Sequence, residues 1–134
     1  MTSTNYRFVM DTHAWIEYFR GTQKGKIAEG FMHSIIIFTP SIVIGELADI
    51  YIRKGYSDWE RDVKFVLAKS NAVDLDVEIA SKAGAMKNHL RKKFKSNFGL
   101  ADAIILSTAK KLGAKVLTGD HHFKPLKDCV EFLE

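Results

Sequence analysis

Short apolar runs alternate along this chain with longer segments of helical periodicity. Residues 35–38, Ile-Ile-Ile-Phe, are β-branched or aromatic and too few for a helix, so they predict a buried strand. Val43, Leu47 and Ile50 recur at the spacing of one helix face. The pattern predicts strands over residues 6–10, 34–39, 71–75, 115–118 and 130–133. It predicts helices over residues 12–19, 26–33, 40–55, 57–67, 76–94 and 100–112, with a loop over residues 21–25.

Strands that are separated by helices predict a parallel sheet with right-handed crossovers and helices on both faces. We therefore predict an α/β fold, a three-layer α/β/α sandwich around a central parallel sheet. The 134 residues suit one compact domain over residues 1–134. The order of the strands does not follow from this pattern.

Composition places the chain among ordinary globular proteins, with 46% hydrophobic and 27% charged residues. No apolar run approaches the roughly 18 residues that span a bilayer. The first residues lack the apolar segment of a secretory signal. A single cysteine, Cys129, excludes an intrachain disulfide framework and clusters of cysteine ligands. We therefore expect a cytoplasmic protein without a membrane partner.

The net charge of +4 favours a polyanionic partner, and the basic residues are concentrated in one segment. Between Lys82 and Lys95 the chain carries no acidic residue and four further cations, namely Lys87, Arg91, Lys92 and Lys93. A solvated helix face that is simply basic would have this composition. A surface that holds an RNA phosphate backbone would have it too.

Four acids stand out by their positions relative to the predicted elements. Asp11 directly follows the first strand, and Asp120 follows the strand over residues 115–118 after one glycine. Glu46 lies in the helix that follows the strand over residues 34–39, and Asp102 lies in the first turn of the last long helix. Ligands of open parallel sheets bind beyond the carboxyl ends of the strands. We therefore expect these four carboxylates to meet at one rim of the sheet.

The sequence around these acids is apolar, as in Ile42-Val-Ile-Gly-Glu46 and Leu100-Ala-Asp102-Ala-Ile. An unpaired carboxylate is costly to ionise there, and several together repel, so a divalent cation with oxygen ligands fits the pattern. The hydroxyls of Thr12 and Thr118 adjoin the acids and could hydrogen-bond them.

Each acid also has a purely structural interpretation. Asp11 and Asp102 could cap or favour helix N-termini, and Asp120 could be a turn residue after Gly119. Glu46 could form a buried ion pair with an arginine or lysine. The two threonines could serve only in capping or strand-end hydrogen bonds.

The motifs Val9-Met-Asp-Thr12, Ile44-Gly-Glu-Leu47, Gly99-Leu-Ala-Asp-Ala-Ile104 and Leu117-Thr-Gly-Asp120 together resemble the PIN domain family, and within it the VapC-type toxins of toxin–antitoxin pairs. The resemblance implies a Mg²⁺- or Mn²⁺-dependent endoribonuclease whose acidic tetrad is Asp11, Glu46, Asp102 and Asp120, with Thr12 and Thr118 beside it. It also implies a homodimer, an antitoxin partner, and tRNA or rRNA as substrate. The tandem His121-His122 is not required by the family pattern.

Two other functions remain open at this point. A non-catalytic RNA-binding or regulatory module would bind RNA with strong salt dependence and without a metal. A phosphoryl-transfer enzyme or receiver domain would use Asp11 as its nucleophile. Phosphatases of the haloacid dehalogenase type need a second aspartate two residues after the first, and this chain has His13 there, which argues against them.

Overall fold

The computed structural model of the protein describes residues 7–33, 36–95 and 97–134. Two of the predicted strands reach residues 6, 34 and 35, and those ends lie outside the described residues.

Among the described residues, five strands form one sheet in the order β3-β2-β1-β4-β5, and every neighbouring pair is parallel. The predicted parallel α/β architecture is therefore confirmed. The strands are β1 (Arg7–Met10), β2 (Ile36–Pro40), β3 (Asn71–Val73), β4 (Lys115–Thr118) and β5 (Val130–Phe132).

In the described part of the chain, six α-helices lie between the first four strands: α1 (Thr12–Arg20), α2 (Gln23–Met32), α3 (Ser41–Arg53), α4 (Trp59–Lys69), α5 (Val77–Phe94) and α6 (Leu100–Lys111). Because crossovers between parallel strands are right-handed, α1 to α4 lie on one face of the sheet and α5 and α6 on the other. The packing agrees, since α1 packs on α2, α3 on α4 and α5 on α6. Helices therefore cover both faces of the sheet, as the three-layer prediction requires.

The centre of the sheet is fully covered. Val9, Met10, Val116 and Leu117 of β1 and β4 are buried, as is Trp15 at the start of α1. Strands buried on both faces are apolar throughout instead of alternating, which explains the continuous apolar runs of the sequence. Among the described residues, no helix is both long and apolar enough to cross a membrane.

Helix α2 begins earlier than predicted, which corrects the loop expected over residues 21–25. Thr22 caps the helix by accepting a hydrogen bond from the Gly25 backbone N–H at 3.1 Å. Gly25 lies in the first turn of α2, where this helix packs very closely on α1. A Cβ at Gly25 would stand only 2.0 Å from the Glu17 carbonyl oxygen. This glycine is therefore required by helix packing, although in the sequence it resembles a loop residue.

Residues His121–Cys129 form a 3₁₀-helical segment, interrupted by a kink at Leu126 and called the 3₁₀ helix below, that the hydrophobic pattern did not predict. The segment connects β4 to β5, and Asp120 immediately precedes it. Its only buried residue is Phe123. A single apolar anchor is too little periodicity to predict a helix from sequence.

The close packing of α1 on α2 gives a stability prediction with a built-in control. Gly25→Ala should destabilise the protein by about 1–3 kcal/mol, because the methyl group meets backbone atoms that cannot rotate away. Gly30→Ala, in the same helix with nothing within 4 Å of its Cβ position, should be neutral or stabilise by up to about 1 kcal/mol. Urea denaturation measures both. Equal stability of the two variants would contradict the observed approach of the helices.

Candidate functional site

The four acids that the sequence singles out lie at the carboxyl ends of the two central strands, where the chain connections run to opposite sides of the sheet. The chain leaves β1 towards β2 on one side, and it leaves β4 towards β5 on the other. Connections that diverge in this way open a crevice beyond the carboxyl ends of the two central strands. Asp11 follows β1 and Asp120 follows β4 by two residues. The Asp11 backbone N–H also donates to the Leu117 carbonyl at 3.3 Å, which ties the two strand ends together.

Asp11 is the most deeply buried of the four acids, with 3% of its surface exposed. It caps α1, since the Ala14 backbone N–H donates to Asp11 Oδ1 at 2.8 Å. Burial, with a smaller contribution from the negative charges of Asp120 and Asp102, raises the pKa of the Asp11 carboxyl to about 7, although hydrogen bonds from Thr118 and Ala14 oppose the shift. Without a compensating cation, the carboxyl therefore holds its proton up to neutral pH.

Thr118, the last residue of β4, links two of the acids. Its hydroxyl hydrogen-bonds the Asp11 carboxyl, and it accepts the Asp120 backbone N–H at 2.9 Å. Asp120 in turn accepts the His122 backbone N–H at 2.9 Å, and His122 Nδ1 lies 3.2 Å from the same carboxylate. A single buried hydroxyl thus sets the spacing of Asp11 and the turn that carries Asp120.

Asp102 and Glu46 complete the group from two different helices. Asp102 lies in the first turn of α6 and accepts the Gly99 backbone N–H at 3.1 Å. Glu46 on α3 accepts the Thr12 hydroxyl at 2.5 Å. Burial raises the pKa of both carboxyls, and nearby negative charge adds to it, from Asp102 for Glu46 and from Asp120 for Asp102.

In the structure, each of the four acids lies near enough to at least one of the others for their negative charges to repel. Asp11 is coupled to Asp102 and Asp120, Asp102 to Asp120, and Glu46 to Asp102. Within residues 7–33, 36–95 and 97–134, none of the four forms an ion pair with a lysine or arginine, and only His122 approaches Asp120. The buried ion pair considered for Glu46 is therefore not found in the described part of the chain.

The capping interpretations are also realised, without excluding a further role. Asp11, Asp102 and Asp120 each accept one nearby backbone N–H, which orients the carboxylate, and within the described residues none of them gains a lysine or arginine partner. In the described chain, no three His, Cys, Asp or Glu side chains stand in a ligand arrangement as they are oriented. The fit to a cation therefore rests on the donor chemistry. Three of the carboxylates, Asp11, Glu46 and Asp102, have raised pKa values, Asp120 lies beside them, and none of the four forms an ion pair with a lysine or arginine of the described residues, which suits a hard divalent ion.

The four predicted RNA-binding cations all lie on α5, at positions spread around the helix. Lys87 and Arg91 are four residues apart and share a helix face. Arg91 Nε donates to the Phe98 carbonyl at 2.7 Å, so this arginine holds the segment that leads into α6. Lys93 instead lines a groove between α5, α6 and the 3₁₀ helix, and Lys92 is exposed.

Two residues that the sequence analysis did not select contact the turn that carries Asp120. Lys24 Nζ on α2 lies 3.4 Å from the Gly119 carbonyl oxygen, and the ring of His13 on α1 packs against Gly119. Lys24 and Gly119 are 95 positions apart, so no local pattern could relate them. The Thr-Gly-Asp motif was the only available signal, and it suggested a turn without indicating a packing requirement.

Comparison with known proteins relates the chain to one group. The PIN domain family model matches residues 8–128. Among curated proteins, none matches the sequence significantly. The solved structure of VapBC2 from Rickettsia felis, bound to a DNA fragment from its promoter, is similar with a TM-score of 0.75 at 18% identity, covering 94% of this chain and 98% of that one.

Two further solved structures share the architecture. A toxin–antitoxin complex from Klebsiella pneumoniae is similar with a TM-score of 0.65 at 25% identity, covering 86% of this chain and 88% of that one. VapC20 from Mycobacterium tuberculosis, a toxin that cleaves the Sarcin-Ricin loop, is similar with a TM-score of 0.68 at 16% identity, covering 89% and 94%. The family match spans all six α-helices of the described residues and strands β1 to β4 from residue 8 on, so the chain belongs to the PIN domain family and has the fold of VapC-type toxins.

Proposed function

We propose that the protein is a metal-dependent endoribonuclease and the toxin of a type II toxin–antitoxin pair. The observation that carries this proposal is the group of four carboxylates at the β1/β4 crevice, each repelled by at least one other and none paired with a lysine or arginine among the described residues. Such a group is unfavourable unless protons or a cation neutralise it. A divalent cation neutralises it and leaves the crevice open to a phosphodiester.

Asp11, Glu46, Asp102 and Asp120 would hold Mg²⁺ or Mn²⁺ in this proposal. When bound, such an ion lowers the pKa of water and offsets the negative charge of a phosphodiester. Asp11 contributes a carboxylate held rigidly by Ala14 and Thr118, since its capping position fixes its direction. The Thr12 and Thr118 hydroxyls orient Glu46 and Asp11, as hydrogen-bonded partners of metal ligands commonly do.

The substrate and partners are proposed from the comparisons together with the surface. One protein of the same fold is a toxin that cleaves the Sarcin-Ricin loop, which supports structured RNA such as rRNA or tRNA as substrate. Others of the same fold are toxin–antitoxin complexes, which supports an antitoxin partner here. Large apolar side chains are exposed, among them Val77 at 86% and Ile52 at 63%, and these favour burial in a homodimer or by the antitoxin.

The proposal is tested by cleavage of a labelled RNA in Mg²⁺ and in EDTA. We expect cleavage by the wild type in Mg²⁺ only, and a loss of at least about 100-fold for Asp102→Asn. Asp74→Asn changes an exposed acid between β3 and α5 and should cleave like the wild type. Cleavage by the wild type in EDTA, or equal rates for Asp102→Asn and Asp74→Asn, would contradict the proposal.

The basic residues of α5 are tested separately by the salt dependence of RNA binding, measured in EDTA so that the RNA stays intact. Lys87→Ala should weaken binding and reduce the slope of log affinity against log salt by about 1, as expected for one lost phosphate contact. Lys69→Ala, at the end of α4 on the opposite face of the sheet, serves as the control. An unchanged slope for Lys87→Ala would remove α5 from the RNA-binding surface.

A non-catalytic RNA-binding module is the second candidate. It is favoured by one observation, that no three acidic or histidine side chains of the described residues stand in a ligand arrangement. This module would bind RNA equally well in Mg²⁺ and EDTA, and Asp102→Asn would change neither binding nor the RNA. The cleavage experiment therefore separates the two functions.

A further inference from the structure

The turn between β4 and the 3₁₀ helix is packed between two helices at Gly119. A Cβ at this position would lie 2.8 Å from His13 Cε1, 3.0 Å from His13 Nδ1 and 3.1 Å from Lys24 Cδ. Carbon atoms in contact normally keep about 3.5–4.0 Å apart. The peptide at Gly119 is therefore enclosed by the His13 ring and the Lys24 side chain with no room for a methyl group.

This glycine is required for space and not for backbone conformation. The glycines with positive φ are Gly21, Gly55 and Gly113, and Gly119 is not among them. An alanine at Gly119 would therefore meet no backbone strain of its own. The whole cost of the substitution would come from its two neighbours.

The two neighbours hold the turn by different means. The His13 ring contacts Gly119 through van der Waals packing. The Nδ1 atom of His13 is buried and has no hydrogen-bond partner among the described residues. Lys24 contributes its aliphatic chain and a hydrogen bond from Nζ to the Gly119 carbonyl oxygen at 3.4 Å. Helices α1 and α2 therefore act together on a single peptide unit.

The residues on either side of Gly119 are those that connect the acids. Thr118 hydrogen-bonds the Asp11 carboxyl and the Asp120 backbone N–H. His13 lies in the first turn of α1, the helix that Asp11 caps. A displacement of Gly119 would therefore change the position of Asp120 relative to Asp11.

We propose that His13 and Lys24 are positioning residues that fix the position of the Gly119 peptide, which we call the seating of the turn. They thereby hold Asp120 and Thr118 close to Asp11. The proposal deepens the proposed function and rests on it for its effect on cleavage. Its structural part, the seating of the turn, stands on the packing geometry alone.

The seating is tested by a single variant that introduces a steric clash and a double variant that removes the clash again. Gly119→Ala adds the methyl group that the His13 ring excludes, and His13→Ala/Gly119→Ala removes the ring that it meets. Amide hydrogen exchange at Asp120 and His122, whose N–H groups bond Thr118 Oγ1 and Asp120 Oδ1, reports the turn directly. We expect exchange at least about tenfold faster in Gly119→Ala and largely restored in the double variant.

Cleavage should follow the same order. Gly119→Ala should lose about 10–100-fold in activity, the size seen when the support of a metal ligand is disturbed, and the double variant should regain most of it. Gly84→Ala, with nothing within 4 Å of its Cβ position, is the control for adding a methyl group to a glycine. Lys24→Met keeps the aliphatic chain and removes the ammonium, so it should loosen the turn less than Gly119→Ala does.

The outcomes separate the seating from the proposed function. Faster exchange in Gly119→Ala with recovery in the double variant supports the seating even if no variant, nor the wild type, cleaves RNA. Wild-type exchange in Gly119→Ala, or a double variant no better than Gly119→Ala, overturns it. If Gly119→Ala does not fold, a folded double variant with wild-type exchange supports the seating, and an unfolded one overturns it.

Discussion

Replacing Asp11 with asparagine is expected to stabilise the metal-free protein at about pH 8 while reducing RNA cleavage by at least about 100-fold. Burial raises the pKa of the Asp11 carboxyl from 3.8 to about 7. Between these pH values the folded protein keeps a proton that the unfolded chain has released, so its stability falls as the pH rises. The stabilisation of the protonated form is complete below pH 3.8 and is lost as the pH rises towards about 7. Asparagine cannot ionise, so the variant escapes this loss.

The substitution also keeps the local structure. Asparagine caps helices as well as aspartate does, so the hydrogen bond from the Ala14 N–H is retained. Thermal unfolding in EDTA should therefore show a melting temperature for Asp11→Asn that exceeds the wild type by several degrees at about pH 8, and by less at about pH 5. Addition of Mg²⁺ should reverse the order, because only the wild type gains the binding energy of the ion.

A second aspartate that caps a helix provides a control, because replacing it with asparagine should change the melting temperature in the opposite direction. Asp76 caps α5 by accepting the Ile79 N–H at 2.8 Å, and this hydrogen bond together with Lys111 lowers its pKa. Its charge is stabilising above its unfolded pKa, so Asp76→Asn should lower the melting temperature at about pH 8. A wild type that is more stable than Asp11→Asn in EDTA at that pH would mean that the Asp11 carboxylate has a favourable partner, and the interpretation of the site would fail.

Thr118→Val is expected to reduce cleavage by about 10–100-fold and to raise the Mg²⁺ concentration needed for half-maximal activity. Valine has nearly the shape of threonine but lacks the hydroxyl that joins Asp11 to the Asp120 backbone. Without the hydroxyl, both hydrogen bonds are lost, and the distance between the Asp11 and Asp120 carboxylates is no longer fixed by them. Thr12→Val removes only the hydrogen bond to Glu46 and should have a smaller effect.

Thr108→Val is the matched control for this prediction. Thr108 is equally buried, and its hydroxyl bonds the Ile104 carbonyl within α6 at 2.8 Å, so the substitution has a similar cost in stability. Measured by initial rates over a Mg²⁺ titration, Thr108→Val should cleave like the wild type. A Thr118→Val variant with an unchanged Mg²⁺ dependence would show that the hydroxyl supports only the strand end.

Hydrophobic periodicity predicted the architecture well because each element buries one continuous apolar surface. The strands around Val9 and Val116 are covered on both faces, which produces apolar runs that are readable without a structure. The strand order was not predictable, because each strand pairs with neighbours that are far apart in sequence. That order decides that the crevice lies between β1 and β4, and hence that Asp11 and Asp120 meet there.

Glycines show where sequence reasoning has a physical limit. Gly25 and Gly119 both look like loop residues, yet each is required by close contact with another element, Gly25 by Glu17 of α1 and Gly119 by His13 and Lys24. Such contacts depend on the packing of whole elements and leave no local signal. The basic segment shows the same limit, because helix geometry directs Lys93 and Arg91 to different neighbours although they are close in sequence.

Crystals of the protein soaked in Mn²⁺ would locate the ion by its anomalous scattering. We expect a manganese peak in the crevice between β1 and β4, with carboxylate oxygens of Asp11 and at least one of Glu46, Asp102 and Asp120 at roughly 2.0–2.3 Å. The same soak of Asp11→Asn crystals should show a weak peak or none. A fully occupied crevice in Asp11→Asn, or a wild-type crystal whose manganese lies only elsewhere, would contradict the metal site from which the proposed ribonuclease activity follows.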